Sequence, residues 1–218
     1  AGWNLETSEC RYRDRKGRPL FPTFQDVLSR IREVMNESEY SSDSKGDYKG
    51  ALCTRLKSLT NGLYRQIFTP DELSPEELFD SNVIVDLSRT GSAETRALIM
   101  GLLVMKLQEH RMARAVRGNA PLRHVTVLEE AHHILKRTSG EQSEGAGMQG
   151  KSVEMLANSI AEMRTYGEGF LIADQAPGLM DLSAIRNTNT KIILGLPDLE
   201  DRELVGRAAG LNEEQILE

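Results

Sequence analysis

Two short runs in this chain have residue types and spacing suited to phosphoryl transfer. The first is Val125-Thr-Val-Leu-Glu129-Glu130. An apolar strand that ends in two carboxylates is the working part of a Walker B motif. The first acid can hold Mg²⁺ through water, and the second can polarise the water that attacks a γ-phosphate. The second run is Phe170-Leu-Ile-Ala-Asp174-Gln175. A polar side chain leaving a neighbouring strand can reach the γ-phosphate or the attacking water. Both runs also have a plainer reading: a strand end feeding an acidic helix start, and a strand end entering a Pro177-Gly178 turn. Arg164 precedes the second strand and suits either a helix C-terminus or an arginine finger offered to a neighbouring subunit.

Other candidates are weaker. Gly145-Ala-Gly-Met-Gln-Gly150-Lys151-Ser152 matches G-x-x-x-x-G-K-[ST] letter for letter. A phosphate-binding loop needs a buried strand to deliver it, and the preceding Lys136 to Glu144 is polar. The match also follows the Glu129-Glu130 pair, whereas a P-loop normally precedes it. It reads as a loop over 138–150 whose Lys151 and Ser152 open the next helix, and a P-loop kinase built on it lacks both strand and order. His132 and His133 are adjacent, so they are expected on different faces, and no metal site is expected from them.

Elements that would position these residues follow from apolar spacing. Thr23 caps a helix to about Asn36, and a second helix runs from about Lys49 to Thr60, ended by Asn61-Gly62. Ser38 to Lys49 reads as a loop. Strands are expected at 82–88, 124–128, 169–173 and 191–196, and helices at about 93–111, 153–166 and 199–209. Apolar strands alternating with helices predict an α/β domain with a mostly parallel sheet.

Composition sets outer limits. A net charge of −6 over 218 residues excludes an evenly basic nucleic-acid-coating protein, though not a local basic patch. Arg111, Arg114, Arg117 and Arg123 are the candidate basic elements, with a solvated linker as the plainer reading. Arg11, Arg13, Arg15, Lys16 and Arg18 read as a solvated turn. Cys10 and Cys53 are too few for a disulfide framework, so a reducing, cytoplasmic setting is expected. No apolar run reaches the roughly 18–20 residues that span a bilayer.

Taken together, the segment from about Asn82 to Glu218 resembles the RecA-like ATPase core of the HerA/FtsK superfamily, closest to HerA-type DNA translocases and conjugation ATPases. The resemblance rests on Val-Ile-Val-Asp86-Leu87-Ser88, Val-Leu-Glu129-Glu130-Ala131-His132, Met163-Arg164-Thr-Tyr166-Gly167, Ile-Ala-Asp174-Gln175-Ala-Pro177 and Asn187-Thr-Asn189-Thr-Lys191. It implies a RecA-like P-loop NTPase core, a mostly parallel sheet flanked by helices, over 81–218. It implies a mostly helical insertion over 1–80. ATP and Mg²⁺ would be the cofactors. Glu129, in place of the more usual Asp, would organise Mg²⁺; Glu130 would be the catalytic base; Gln175 would sense the γ-phosphate; Arg164 would act near a subunit boundary. The implied function is an ATP-driven DNA translocase or helicase motor, a homo-hexameric ring on DNA with a nuclease or other effector as a further partner. In that family the true P-loop lies N-terminal to the helical insertion, so the chain is expected to be an internal piece that by itself binds ATP weakly or not at all and does not hydrolyse it. The competing expectation is an ATPase-like interaction domain without turnover, against which the retained Glu129, Glu130, Gln175 and Arg164 argue.

Overall fold

The computed structural model describes residues 3–4, 6–7, 9–10, 12–13, 17, 19, 22–37, 42–62, 64–69, 73–115, 119–137 and 144–217. The chain divides into two compact units, Ala1–Leu73 and Ser74–Glu218. The sequence reading puts this boundary near residue 80.

The first unit is a helical pair with a short hairpin. β1 (Trp3–Asn4) pairs antiparallel with β2 (Glu9–Cys10). α1 (Phe24–Glu37) starts on a reciprocal cap. The Asp26 amide donates to Thr23 Oγ1 at 3.3 Å, and the Thr23 amide donates to Asp26 Oδ2 at 2.8 Å. α2 (Ser42–Thr60) packs on α1, with Leu28 and Cys53 buried, and α3 (Tyr64–Ile67) follows. α2 begins seven residues before the expected Lys49. Ser, Asp and Gly lower intrinsic helicity there, so the apolar period that marks the helix in sequence begins later than the helix itself. Of the basic turn only Arg13 is described; it donates to the Gly17 carbonyl at 2.9 Å, and Arg11, Arg15, Lys16 and Arg18 lie outside the described residues.

The second unit is mixed α/β and mainly helical. α4 (Pro75–Phe79) carries a full Ser74–Glu77 capping box. α5 (Ala93–Ala113) is capped by Ser92, whose Oγ accepts from the Thr95 amide at 3.1 Å. β3 (His124–Glu129), α6 (Glu144–Met163) and β4 (Glu168–Ala173) follow, then α7 (Leu182–Asn187), α8 (Leu199–Ala208) and α9 (Glu213–Leu217). β3 and β4 pair in parallel, in register from His124 beside Glu168 to Glu129 beside Ala173. Alternation puts Leu128, Phe170 and Ile172 toward a core that also holds Val104, Leu107 and Met163. The opposite face, with Val125 47%, Val127 55% and Leu171 50% exposed, is open.

Two expectations are corrected. The segments 82–88 and 191–196 are not strands: among the described residues neither has a ladder partner, and Ile84, Ile192 and Leu194 are 95%, 85% and 80% exposed. Apolar spacing reports what gains from burial, whereas a strand also needs a neighbouring backbone. The observed sheet therefore has two strands rather than four. The loop expected over 138–150 is helical from Glu144 onward, and 138–143 lie outside the described residues.

Ionic contacts tie down the N-terminal edge of the sheet. Glu168, its side chain fully buried, accepts from Arg111 Nε at 2.8 Å and Thr126 Oγ1 at 2.6 Å, and His124 Nδ1 lies 2.8 Å away. Arg111 also binds Asp80 at 2.5 Å and the Phe79 carbonyl at 2.6 Å, and His110 Nε2 meets Asp80 at 3.0 Å. Arg114 pairs with Asp80 and Glu76. Arg111 and Arg114 are thus committed within the unit, and Arg117 lies outside the described residues. Gly167, at φ 86°, ends a 3-10 turn over Arg164–Tyr166, and a Cβ there would meet the Pro121 carbonyl oxygen at 2.5 Å. Among the described residues no helix is long and apolar enough to cross a membrane.

Candidate functional site

The C-terminal edge of the parallel pair gathers the acidic and polar residues singled out above. Open α/β sheets bind ligands at this edge. β3 ends at Glu129, and Glu130 leaves it in the left-handed region at φ 50°, ψ 47°. That conformation is costly for a residue with a Cβ, by roughly 1–2 kcal/mol. Two backbone bonds hold it: the Glu130 amide donates to the Ala173 carbonyl at 3.0 Å, and the His133 amide donates to the Glu130 carbonyl at 3.0 Å. The second of these opens a 3-10 turn over Ala131–His133.

The bend brings Glu130 and Gln175 together across the two strand ends. Gln175 Nε2 donates to Glu130 Oε1 at 3.3 Å. The other carboxylate oxygen, Oε2, lies 3.3 Å from His133 Nε2 and 4.0 Å from an Arg96 guanidinium nitrogen. Arg96 comes from the first turns of α5 and contacts His133 Nε2 at 3.0 Å and Thr90 Oγ1 at 3.4 Å. A guanidinium only donates, so this contact claims the Nε2 lone pair of His133.

Asp174 fastens the arrangement. Its Oδ2 accepts from the His132 amide at 2.9 Å and lies 2.9 Å from His132 Nδ1. Its Oδ1 accepts from the Ala176 amide at 2.9 Å. With a side chain only 5% exposed, Asp174 links the turn after β3 to the turn after β4. This link fixes how far apart Glu130 and Gln175 stand.

Glu129 points to the open face of the sheet and is exposed, and its carboxylate has no hydrogen bond or ion pair among the described residues. A carboxylate in that state suits Mg²⁺, which keeps several waters and takes one or two carboxylates with substrate phosphates. Arg164 is not brought to this edge. It is exposed at the start of the turn before β4, on the opposite side of a six-residue strand, a separation of about 16 Å or more.

The apparent P-loop match has no phosphate-wrapping shape. Residues 145–150 lie inside α6, whose backbone amides beyond the first turn are committed to the helix. Sequence reading missed Arg96 and His133 as neighbours of Glu130. Arg96 reaches the turn from 37 residues away, and no spacing signal connects them. It also expected the adjacent histidines to diverge, yet their rings lie 4.4 Å apart, because the turn that follows a left-handed residue is tight. No family model, curated protein or solved structure matches the chain.

Proposed function

We propose that this chain carries the hydrolytic strand ends of a HerA/FtsK-type, RecA-like ATPase that drives a DNA translocase. The observation that supports this best is the Glu130–Gln175 contact across adjacent parallel strand ends, with Glu130 turned away from the end of β3 by its own left-handed backbone. A base and a polar sensor on neighbouring strands are what orienting and deprotonating one water requires.

In this reading Glu129 is the residue that would hold Mg²⁺ through water, and the bound ion would supply charge neutralisation for the phosphates of ATP. Glu130 accepts the proton of the attacking water, and Gln175 orients that water or reports on the γ-phosphate. Asp174 and His132 keep the two apart at working distance. Arg164, on the far edge of its own sheet, serves a site on an adjacent copy in a homo-hexamer. Gly145 to Ser152 play no part in binding the phosphates in this reading.

The test is DNA-stimulated ATP turnover by the full-length protein. Glu130→Gln, which keeps shape and removes the base, is expected to lower kcat by at least about 100-fold. Lys151→Ala is expected to leave turnover unchanged. Unchanged turnover in Glu130→Gln would sink the assignment of the base, and loss in Lys151→Ala would restore the Gly145 loop as a phosphate site.

A further inference from the structure

We infer that Glu130, His132 and His133 form a binding site for a first-row divalent transition cation of the Zn²⁺ type. The three residues each offer a ligand atom, all within 4.8 Å of one another. Glu130 Oε2 and His133 Nε2 are already 3.3 Å apart. That separation is about what two ligands show in a tetrahedral site with bonds of roughly 2.0–2.1 Å. Two imidazoles and one carboxylate favour Zn²⁺ and its neighbours over Mg²⁺ or Ca²⁺, which prefer oxygen alone. Three protein ligands leave a fourth position for water.

A second, independent observation points the same way. His132 turns Nδ1 to the largely buried carboxylate of Asp174, 2.9 Å away, which leaves Nε2 as its free nitrogen. A carboxylate behind a histidine fixes the ring and raises its basicity, and this arrangement recurs behind metal-binding histidines. The backbone amide of His132 donates to the same carboxylate, so the ring is anchored at both ends.

A cation already stands at these acceptors. The Arg96 guanidinium faces His133 Nε2 at 3.0 Å and Glu130 Oε2 at 4.0 Å. Metal and guanidinium compete for the same lone pair, so binding requires Arg96 to swing away. Its side chain is 28% exposed, which gives it solvent to move into. A metal on Glu130 also occupies the oxygen that the proposed base would use, so the ion acts as a brake on that chemistry. The site itself does not depend on the ATPase reading.

The experiment is titration of the metal-free full chain with Zn²⁺ by calorimetry, and with Co²⁺ followed by its visible ligand-field bands, without nucleotide. One equivalent is expected to bind. His132→Ala and His133→Ala should each weaken binding at least tenfold, and Asp174→Asn by about 10–100-fold. Arg96→Ala should tighten binding severalfold, a direction that misfolding does not produce. Absence of stoichiometric binding in both wild type and Arg96→Ala overturns the proposal. So does binding that survives loss of both histidines, or weakening in Arg96→Ala. ATP turnover enters none of these readouts, so their failure leaves the ATPase reading to its own test.

Discussion

Among single side chains, Asp80 and Arg111 carry the clearest electrostatic consequences. Burial opposes charge on Asp80, but hydrogen bonds from Arg111 and His110 outweigh it, and the carboxyl is held below its ordinary 3.8. A lowered acid stabilises the fold above its unfolded value and loses that contribution as pH falls through the folded value. Stability is therefore expected to drop as pH goes below about 3.8, and Asp80→Asn should flatten that arm of a pH series of denaturant melts. An equally steep arm in the variant would place the acid sensitivity elsewhere. Arg111 is more consequential, because its loss leaves the fully buried Glu168 without its cation. Arg111→Met is expected to cost about 3–5 kcal/mol, with part regained when Glu168→Gln is added. Urea unfolding of the single and double variants checks this. Glu129, Glu130 and Gln175 could be picked out from sequence because strand ends are local features. Arg96, His133 and the clamp made by Asp174 could not, because their roles arise from contacts between segments far apart in the chain.

For whole elements, the decisive feature is how β3 and β4 are joined. The pairing depends on the chain reversing at Gly167, where φ is 86° and the Pro121 carbonyl leaves no room for a Cβ. Gly167→Ala faces backbone strain and a steric clash together, each of a kind that costs on the order of 1–3 kcal/mol. A melting temperature lower by at least about 4 °C is expected, and an unchanged one would mean that the turn relaxes freely. Caps were the most readable boundaries. Thr23 and Gly62 mark helix ends as sequence predicts, because a cap is decided by one residue and the few backbone groups beside it. The start of α6 was unreadable for the opposite reason: Gly, Ser and Gln carry little apolar period, so nothing there separates helix from loop.

For the molecule as a whole, apolar surface is left in the open. The outer sheet face with Val127 and Leu171, and the extended segments around Ile84 and Ile192, expose side chains that elsewhere would fill a core. The folded chain is expected to enhance the fluorescence of a hydrophobic dye such as ANS, and Val127→Glu with Leu171→Lys should reduce it. No enhancement in the native state would mean that these groups are covered in solution. The α/β class was readable from alternating apolar and helical stretches, but the number of paired strands was not. Apolar runs at 82–88 and 191–196 look the same in sequence as those of β3 and β4. Only backbone partnership separates them.

The left-handed backbone at Glu130 turns a calorimeter into a detector of function. A position held for its side chain against its own backbone preference becomes more stable when that side chain is given up. Glycine enters this region without the Cβ penalty, and the ion pairs of a carboxylate 46% exposed are weak. Glu130→Gly is therefore expected to melt at the same temperature or up to about 4 °C higher and, on the ATPase reading proposed above, to abolish DNA-stimulated turnover. A marked fall in melting temperature would show that the bend belongs to the fold rather than to the chemistry.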